Sequence, residues 1–368
     1  MQNSDTFLWE YLKSTTKPLV LLGTGDGADK ILSVMEQYGL SPACFTASGD
    51  FTIKPDFRGY KVLPFYEVER LYGDFIILLC FGSDKPQVLD WIYSLSKKHE
   101  LYAPDTPVCG GELFTPEFAE QHKEQLALVR EMLADDKSRE VFDGWQEYRL
   151  TGRIDILEAI ATPRSEILEL LNLRSDGESG YFIDAGAFKG DTVDEFLAET
   201  DKQFKKIIAI EPDRQNYMKL RRKFYAYGSE IFKPVNAVTW DTDTELEFDL
   251  RSGRGGCVLQ IGVTAQPAKR TIKVNAVTID SLVGADSNAK PTFLKMDVEG
   301  AEAKTLNGAA KTIAVHRPKL LVSLYHKSAD MFELPLLIHK LNSEYKYYLR
   351  KTHCLPGWEF ELIASRTS

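Results

Sequence analysis

Two stretches of this chain run an apolar strand through a glycine-bearing turn into a helix, and that unit constrains the fold more than any other feature. They are "PLVLLGTGDGADKIL" at 18–32 and "YFIDAGAFKGDT" at 181–192. A strand that turns through glycine into a helix builds parallel α/β layers. Two such units so far apart in 368 residues predict two sheets, since a single domain of that length is uncommon.

The text between and around them agrees. Strand-like runs "PLVLLG", "SPACFTA", "FIILLCF" and "ELYAP" alternate with helical ones, "ADKILSVMEQYG" and "KPQVLDWIYSLSKK", so residues 1–110 predict a smaller Rossmann-like α/β domain. From 111 to 176 the apolar spacing is helical, with Thr115-Pro116 as a helix start, which predicts a packed helical connector. Residues 177–368 return to α/β, with strands "YFIDA", "KIIAIEP", "IFKPVNAVTW", "TFLKMDV" and "KLLVSLYH". The pieces "TELEFDL", "GCVLQIG" and "TIKVNAVTI" between Asp241 and Asp280 predict a β-hairpin excursion before the fourth core strand, and the tail predicts a closing antiparallel pair.

Bulk properties exclude several classes of function. The net charge of −9 offers no basic excess to displace counterions, so no nucleic-acid partner is expected. The longest apolar run, "FIILLCF", is far too short for a membrane span. Five scattered cysteines with no CxxC pair suit a reducing compartment, and "MQNSDTFLWEYLK" lacks the apolar core of a signal peptide. A cytoplasmic protein is the simplest expectation.

The two turns differ in chemistry. The first carries Gly23, Gly25 and Ala28 in the GxGxxA order of a dinucleotide turn, but Asp26 and Asp29 lie inside it and would oppose a pyrophosphate. The strand "PACFTASGD" ends uncharged, with Asp50 past its expected end. In the second turn Asp184 closes the strand, Gly186 and Gly190 free the backbone, and Asp191-Thr192 sit near the helix start. Glu211 ends the next strand, where an acid can accept both hydroxyls of an unphosphorylated ribose. A ligand with a ribose, a cationic centre and no phosphate fits these acids, and S-adenosylmethionine (SAM) is such a ligand. "FLKMDVEGAE" at 293–302 then places Asp297, Glu299 and Glu302 at another strand end, on the ligand side of an open α/β sheet. Helix capping is the alternative role for Glu299 and Glu302.

"FIDAGAFKGDT", "IIAIEPD", "FLKMDVEGAE" and "RPKLLVSLYHK" together resemble the FkbM-type methyltransferases, in order, over roughly Ser179 to Ala364. The resemblance implies a class I methyltransferase doubly wound sheet, mostly parallel with one antiparallel strand, and S-adenosyl-L-methionine as cofactor. It implies that Asp184, Gly186, Ala187 and Gly190 line the methionine and ribose, that Glu211 holds the ribose, and that Asn236 and Ala237 flank the adenine. Asp297, Glu299 and His326 would face the substrate, with Asp297 also near the cofactor. Family members mostly methylate hydroxyls of sugars, polysaccharides or other natural products. Phe188-Lys189 departs from the small polar residues common in that loop.

An acceptor hydroxyl needs a base. His326, at the end of an apolar strand, and Asp297 are the candidates. His353 is a weaker candidate for the acceptor pocket. Asp297 and Glu299 with a third acid would suit a hard cation, but no spacing is diagnostic and no metal is expected. The expected partner is a small-molecule or carbohydrate acceptor, without nucleic acid or membrane and with homo-oligomerisation left open. Two rivals stand beside this reading: an NAD-dependent oxidoreductase using the first turn, and a non-catalytic nucleotide- or sugar-binding protein.

Overall fold

A computed structural model describes residues 6–47, 55–249, 257–258 and 271–366. The first sheet contains β1 (Leu19–Leu22), β2 (Cys44–Ala47), β3 (Asp56–Phe57), β4 (Tyr60–Pro64), β5 (Ile76–Leu79) and β6 (Glu100–Tyr102), in the order β3-β4-β2-β1-β5-β6. All its pairs are parallel except β3 with β4. β1 and β5 are buried along their whole length, as central parallel strands covered on both faces must be. Around them lie α1 (Leu8–Ser14), α2 (Asp26–Gln37), α3 (Phe65–Tyr72) and α4 (Pro86–Ser96). β3, β4 and α3 were not expected from sequence; they are short and rich in charge, so no clean period marks them. Asp50 lies outside the described residues.

The connector folds as α5 (Pro116–Gln121), α6 (Lys123–Met132), α7 (Asp136–Thr151), α8 (Ile154–Ile160) and α9 (Arg164–Leu171). The Thr115 side chain accepts from the Phe118 amide at 3.1 Å, with Pro116 opening the helix. α7 is the pillar of the molecule. Its Trp145 stacks on Phe360 at 4.1 Å. Its buried Tyr148 donates to the Ala103 carbonyl at 2.9 Å and accepts from the Gly357 amide at 3.0 Å. Arg149, also buried, pairs with Asp105 at 2.9 Å and donates to the Ser328 hydroxyl at 2.9 Å. One buried cluster therefore runs from β1 and β5 through α7 into the second sheet, across all three segments of the chain.

The second sheet contains β7 (Tyr181–Ala185), β8 (Lys206–Ile210), β9 (Phe232–Val235), β14 (Phe293–Met296), β15 (Lys319–Ser323), β16 (Lys346–Lys351) and β17 (Phe360–Ser365). Its order is β16-β17-β15-β14-β7-β8-β9, with β17 antiparallel to both neighbours. The chain is thus α/β with mostly parallel strands, and this order is that of class I methyltransferases. Strand order reverses about β7, whose neighbours are β8 and β14, and ligands of open α/β sheets bind at such a switch point. α10 (Asp191–Glu199), α11 (Arg214–Lys223), α12 (Ile279–Gly284), α13 (Glu302–Asn307), α14 (Ala310–His316) and α15 (Asp330–Leu341) cover the sheet.

The excursion forms a sheet of its own, from β10 (Val238–Thr239), β11 (Thr244–Asp249), β12 (Cys257–Val258) and β13 (Thr271–Val277), in the order β10-β13-β11-β12. Of "GCVLQIG" only Cys257–Val258 is described. "IFKPVNAVTW" is not one strand: β9 joins the large sheet and β10 the small one. At the break Asn236 donates its side-chain amide to the Glu211 and Pro212 carbonyls, each at 2.9 Å.

The two sheets are locked together at the loop after β5. Ser83 and Leu355 exchange backbone hydrogen bonds at 2.8 and 3.0 Å. Gly82 leaves no room for a Cβ against the Trp358 ring. Among the described residues, no helix is long and apolar enough to cross a membrane.

Candidate functional site

One side of the candidate site is built by the turn after β7. Gly186 has φ +83°, and a Cβ there would overlap the Asp297 carbonyl, so only glycine lets β7 and β14 end this close together. The Gly186 and Ala187 amides both donate to the Ile210 carbonyl, at 3.0 and 2.9 Å, which ties the turn to β8. Glu211, one residue past β8, accepts from the Phe188 amide at 2.8 Å and the Asp213 amide at 2.9 Å. Burial lifts its carboxyl to about 7, partly countered by those two amides.

Some expected roles move. Gly186, Ala187, Phe188, Glu211 and Ala237 line a common cavity, whereas Asp184, Gly190 and Asn236 do not. Asp184 is fully buried one layer beneath, 3.3 Å from the Lys295 ammonium, which also donates to the Gly186 carbonyl at 2.9 Å. Asp184 and Lys295 therefore hold the turn from below, and the ligand-facing surface is backbone. Gly190 caps α10 at φ +86°, packed where a Cβ would meet Phe224. Asn236 spends its amide on the backbone break described above.

The other side is built by the ends of β14 and β15. Asp297 and Glu299 line the cavity, but His326 does not: it is fully buried behind them. Its Nε2 lies 3.4 Å from Asp297 and 3.5 Å from Glu299, and its Nδ1 lies 2.9 Å from Glu302. Burial opposes its charge, yet the Glu302, Glu299 and Asp297 carboxylates raise its pKa to about 10. A histidine sealed away behind these carboxylates does not face the cavity, so it is not placed to act as the general base expected from sequence. Asp297 is held low despite burial by Lys295 and His326 and accepts from the Tyr325 hydroxyl at 3.3 Å. Glu299 sits at φ +52°, and burial raises its carboxyl to about 7. His353 is exposed at the cavity rim.

Both glycine turns line this one cavity, of about 1260 Å³, larger than a typical single-ligand pocket of roughly 300–1,000 Å³. The turn at 24–29 and the loop after β5 form one wall; the β7, β8 and β14 ends form the other. Twelve carboxylates line it against four lysine or arginine side chains, and each of those four is already paired. Lys30 pairs with Asp26 at 2.8 Å and Arg58 grips Asp29 through two contacts at 2.7 Å. Arg164 is shared by Glu195 and Glu361, and Lys295 belongs to Asp184. Among the described residues, the cavity has surplus negative charge and no uncommitted lysine or arginine for a phosphate.

The strand order of the large sheet and a glycine turn backed by a strand-end acid define a class I methyltransferase fold. The comparison with protein families makes this particular: residues 184–347 match the methyltransferase FkbM domain. Among solved structures, the methyltransferase FkbM from Methylobacillus flagellatus KT superposes with a TM-score of 0.71 at 18% identity, over 97% of this chain and 92% of that one. That likeness is one of fold and includes the first sheet. An rRNA methylase from Streptococcus thermophilus matches with a TM-score of 0.35 at 13% identity, over 57% of this chain and 99% of its own. An SAH-bound methyltransferase from Podospora anserina matches at 0.29 and 11% identity, over 68% and 97%. No curated protein matches the sequence.

Lys295, Tyr325 and Arg164 escaped the sequence reading. Lys295 had a signal, a lone lysine inside the apolar strand "FLKM", since a charge there must have a buried partner. Tyr325 and Arg164 had none, because their partners are remote in sequence.

Proposed function

We propose that this protein is a SAM-dependent O-methyltransferase acting on a hydroxyl of a sugar, a polysaccharide or a related natural product. The observation that carries the reading is Glu211 beside the Gly186–Phe188 turn, in a cavity whose cationic side chains are all paired with acids. This donor set fits the cofactor: a carboxylate for two ribose hydroxyls, a glycine backbone for close approach, and acids that tolerate a sulfonium and an ammonium. When bound, SAM supplies an electrophilic methyl group on a sulfonium leaving group.

The remaining work falls to the chain's own side chains. Glu211 accepts the ribose hydroxyls through the lone pairs that Phe188 and Asp213 leave open. Asp297, held charged, anchors the acceptor and fixes the line of attack, since orientation supplies much of the rate in such a displacement. Glu299, with a carboxyl near neutrality and facing the cavity, takes the hydroxyl proton. The acidic wall contributed by the first sheet favours a neutral or amino-bearing acceptor over a phosphorylated one. A cytoplasmic site of action belongs to the same reading.

The oxidoreductase alternative places a pyrophosphate at the start of α2, where Asp26 and Asp29 stand in the first turn and already hold Lys30 and Arg58. Calorimetric titration with SAM, S-adenosylhomocysteine (SAH) and NADH decides. Micromolar binding of the first two, lost in Glu211→Ala, supports the transferase. Binding of NADH alone, indifferent to Glu211→Ala, sinks it. Methyl transfer to an acceptor then separates an enzyme from a non-catalytic binder.

A further inference from the structure

The cluster around His326 holds more negative charge than the protein balances. Glu302 and His326 are fully buried and Asp330 is 4% exposed, while Asp297 and Glu299 close the cluster on the cavity side. Four carboxylates thus crowd one imidazole. The nearby ammonium groups are engaged elsewhere: Lys295 holds Asp184 and the Gly186 carbonyl, and Lys327 donates its ammonium to the Gly300 carbonyl. The polar atoms are also unsatisfied. Glu302 Oε2 makes no hydrogen bond, and neither His326 nitrogen does: Nδ1 stands 2.9 Å from Glu302 Oε1 without the alignment a ring N–H needs.

Such a buried excess is expensive as it stands and natural around a cation. One donor atom from each of Asp297, Glu302 and His326 lies within 4.8 Å of the others. Ligands facing each other across metal bonds of about 2.1–2.4 Å are roughly 4.2–4.8 Å apart, so a spread of this size suits a single ion served by one of the two imidazole nitrogens. We propose that Asp297, Glu302 and His326, the imidazole giving up its proton as the ion binds, hold a divalent transition-metal ion. Imidazole among carboxylates suits Mn²⁺ or Zn²⁺ better than Ca²⁺. Asp297 and Glu299 face the cavity, so the ion would meet an acceptor hydroxyl and lower its pKa. That role rests on the transferase reading; the binding site does not.

The test uses the full chain stripped with EDTA and titrated calorimetrically with MnCl₂ and with ZnCl₂, alongside the electron paramagnetic resonance of Mn²⁺. The expected result is one saturable site that immobilises Mn²⁺ and raises the melting temperature. Asp297→Asn and Glu302→Gln should each weaken it by roughly tenfold or more. Two variants are used because Glu302 is buried and its substitution alone could unfold the cluster. Absence of saturable binding, or binding indifferent to both substitutions, overturns the proposal. SAH titration of the EDTA-treated protein keeps the two readings apart: intact SAH binding without a metal site sinks only the metal, whereas metal binding without SAH binding sinks only the transferase.

Discussion

The two glycine turns are built alike and used differently. In the first, Gly25 has open space around it, but Gly27 leaves no room for a Cβ against the Cys80 carbonyl and Gly23 sits at φ +118°, while the acids of the turn are paired with Lys30 and Arg58. In the second, Gly186 is pressed against β14 at positive φ, Lys295 and Asp184 support it from beneath, and Glu211 reaches it from β8. Both turns press a glycine against a neighbouring carbonyl; the buried Asp184–Lys295 pair beneath and the Glu211 carboxylate from β8 are what the second has and the first lacks.

The sharpest way to break this contrast is Gly186→Ala. Positive φ and overlap with the Asp297 carbonyl together are worth about 3 kcal/mol, which should weaken SAH binding by roughly 100-fold and lower the melting temperature. If calorimetry and thermal melts show neither, the second turn is not clamped. Next in size, Glu211→Ala should weaken SAH binding roughly 10- to 100-fold while leaving the secondary structure seen by circular dichroism unchanged.

Protonation sharpens the same point. The Glu211 carboxyl titrates at about 7 in the fold against an ordinary 4.5. As pH rises from 4.5 to 7 the unfolded chain gives up this proton first, so Glu211 removes stability across that window and the full penalty is present above it. The ionised form accepts both ribose hydroxyls, so SAH affinity should rise as pH passes upward through 7, by roughly tenfold between pH 6 and 8. Glu211→Gln should flatten the profile; an unchanged profile in that variant would assign the titration elsewhere.

At the junction of the two sheets, Gly82→Ala should lower stability by about 1–3 kcal/mol through the Trp358 ring. The loss should shrink in a Trp358→Ala background, as chemical denaturation in a double-mutant cycle would report. Smallest of all, Gly25→Ala and Arg58→Ala should leave melting temperature and SAH affinity within experimental error. A marked loss of SAH affinity in either would make the first turn part of the cofactor site.

Much of the fold was legible because period and punctuation were local. "PLVLLG", "FIILLCF" and "YFIDA" announced buried parallel strands, and Thr115-Pro116 announced a helix start. β3 and β4 were not legible, since two- and five-residue strands carry too little period to stand out. In the site, Glu211, Asp297 and Glu299 could be read from their places at strand ends. His326 could not be read correctly: an apolar strand followed by histidine looks like a base at a ligand site. Only the approach of α13 brings Glu302 to its ring and seals it.

The sequence by itself determined two α/β sheets, the helical connector between them, the second glycine turn and the acids at its strand ends, because each depends on residues within one strand–turn–helix unit. Only the tertiary structure decided that both turns face one cavity, that Asp184 supports the turn from below, and that His326 is buried among carboxylates. Those facts depend on charges and rings brought together from opposite parts of the chain, where burial and pairing, not local pattern, set their chemistry.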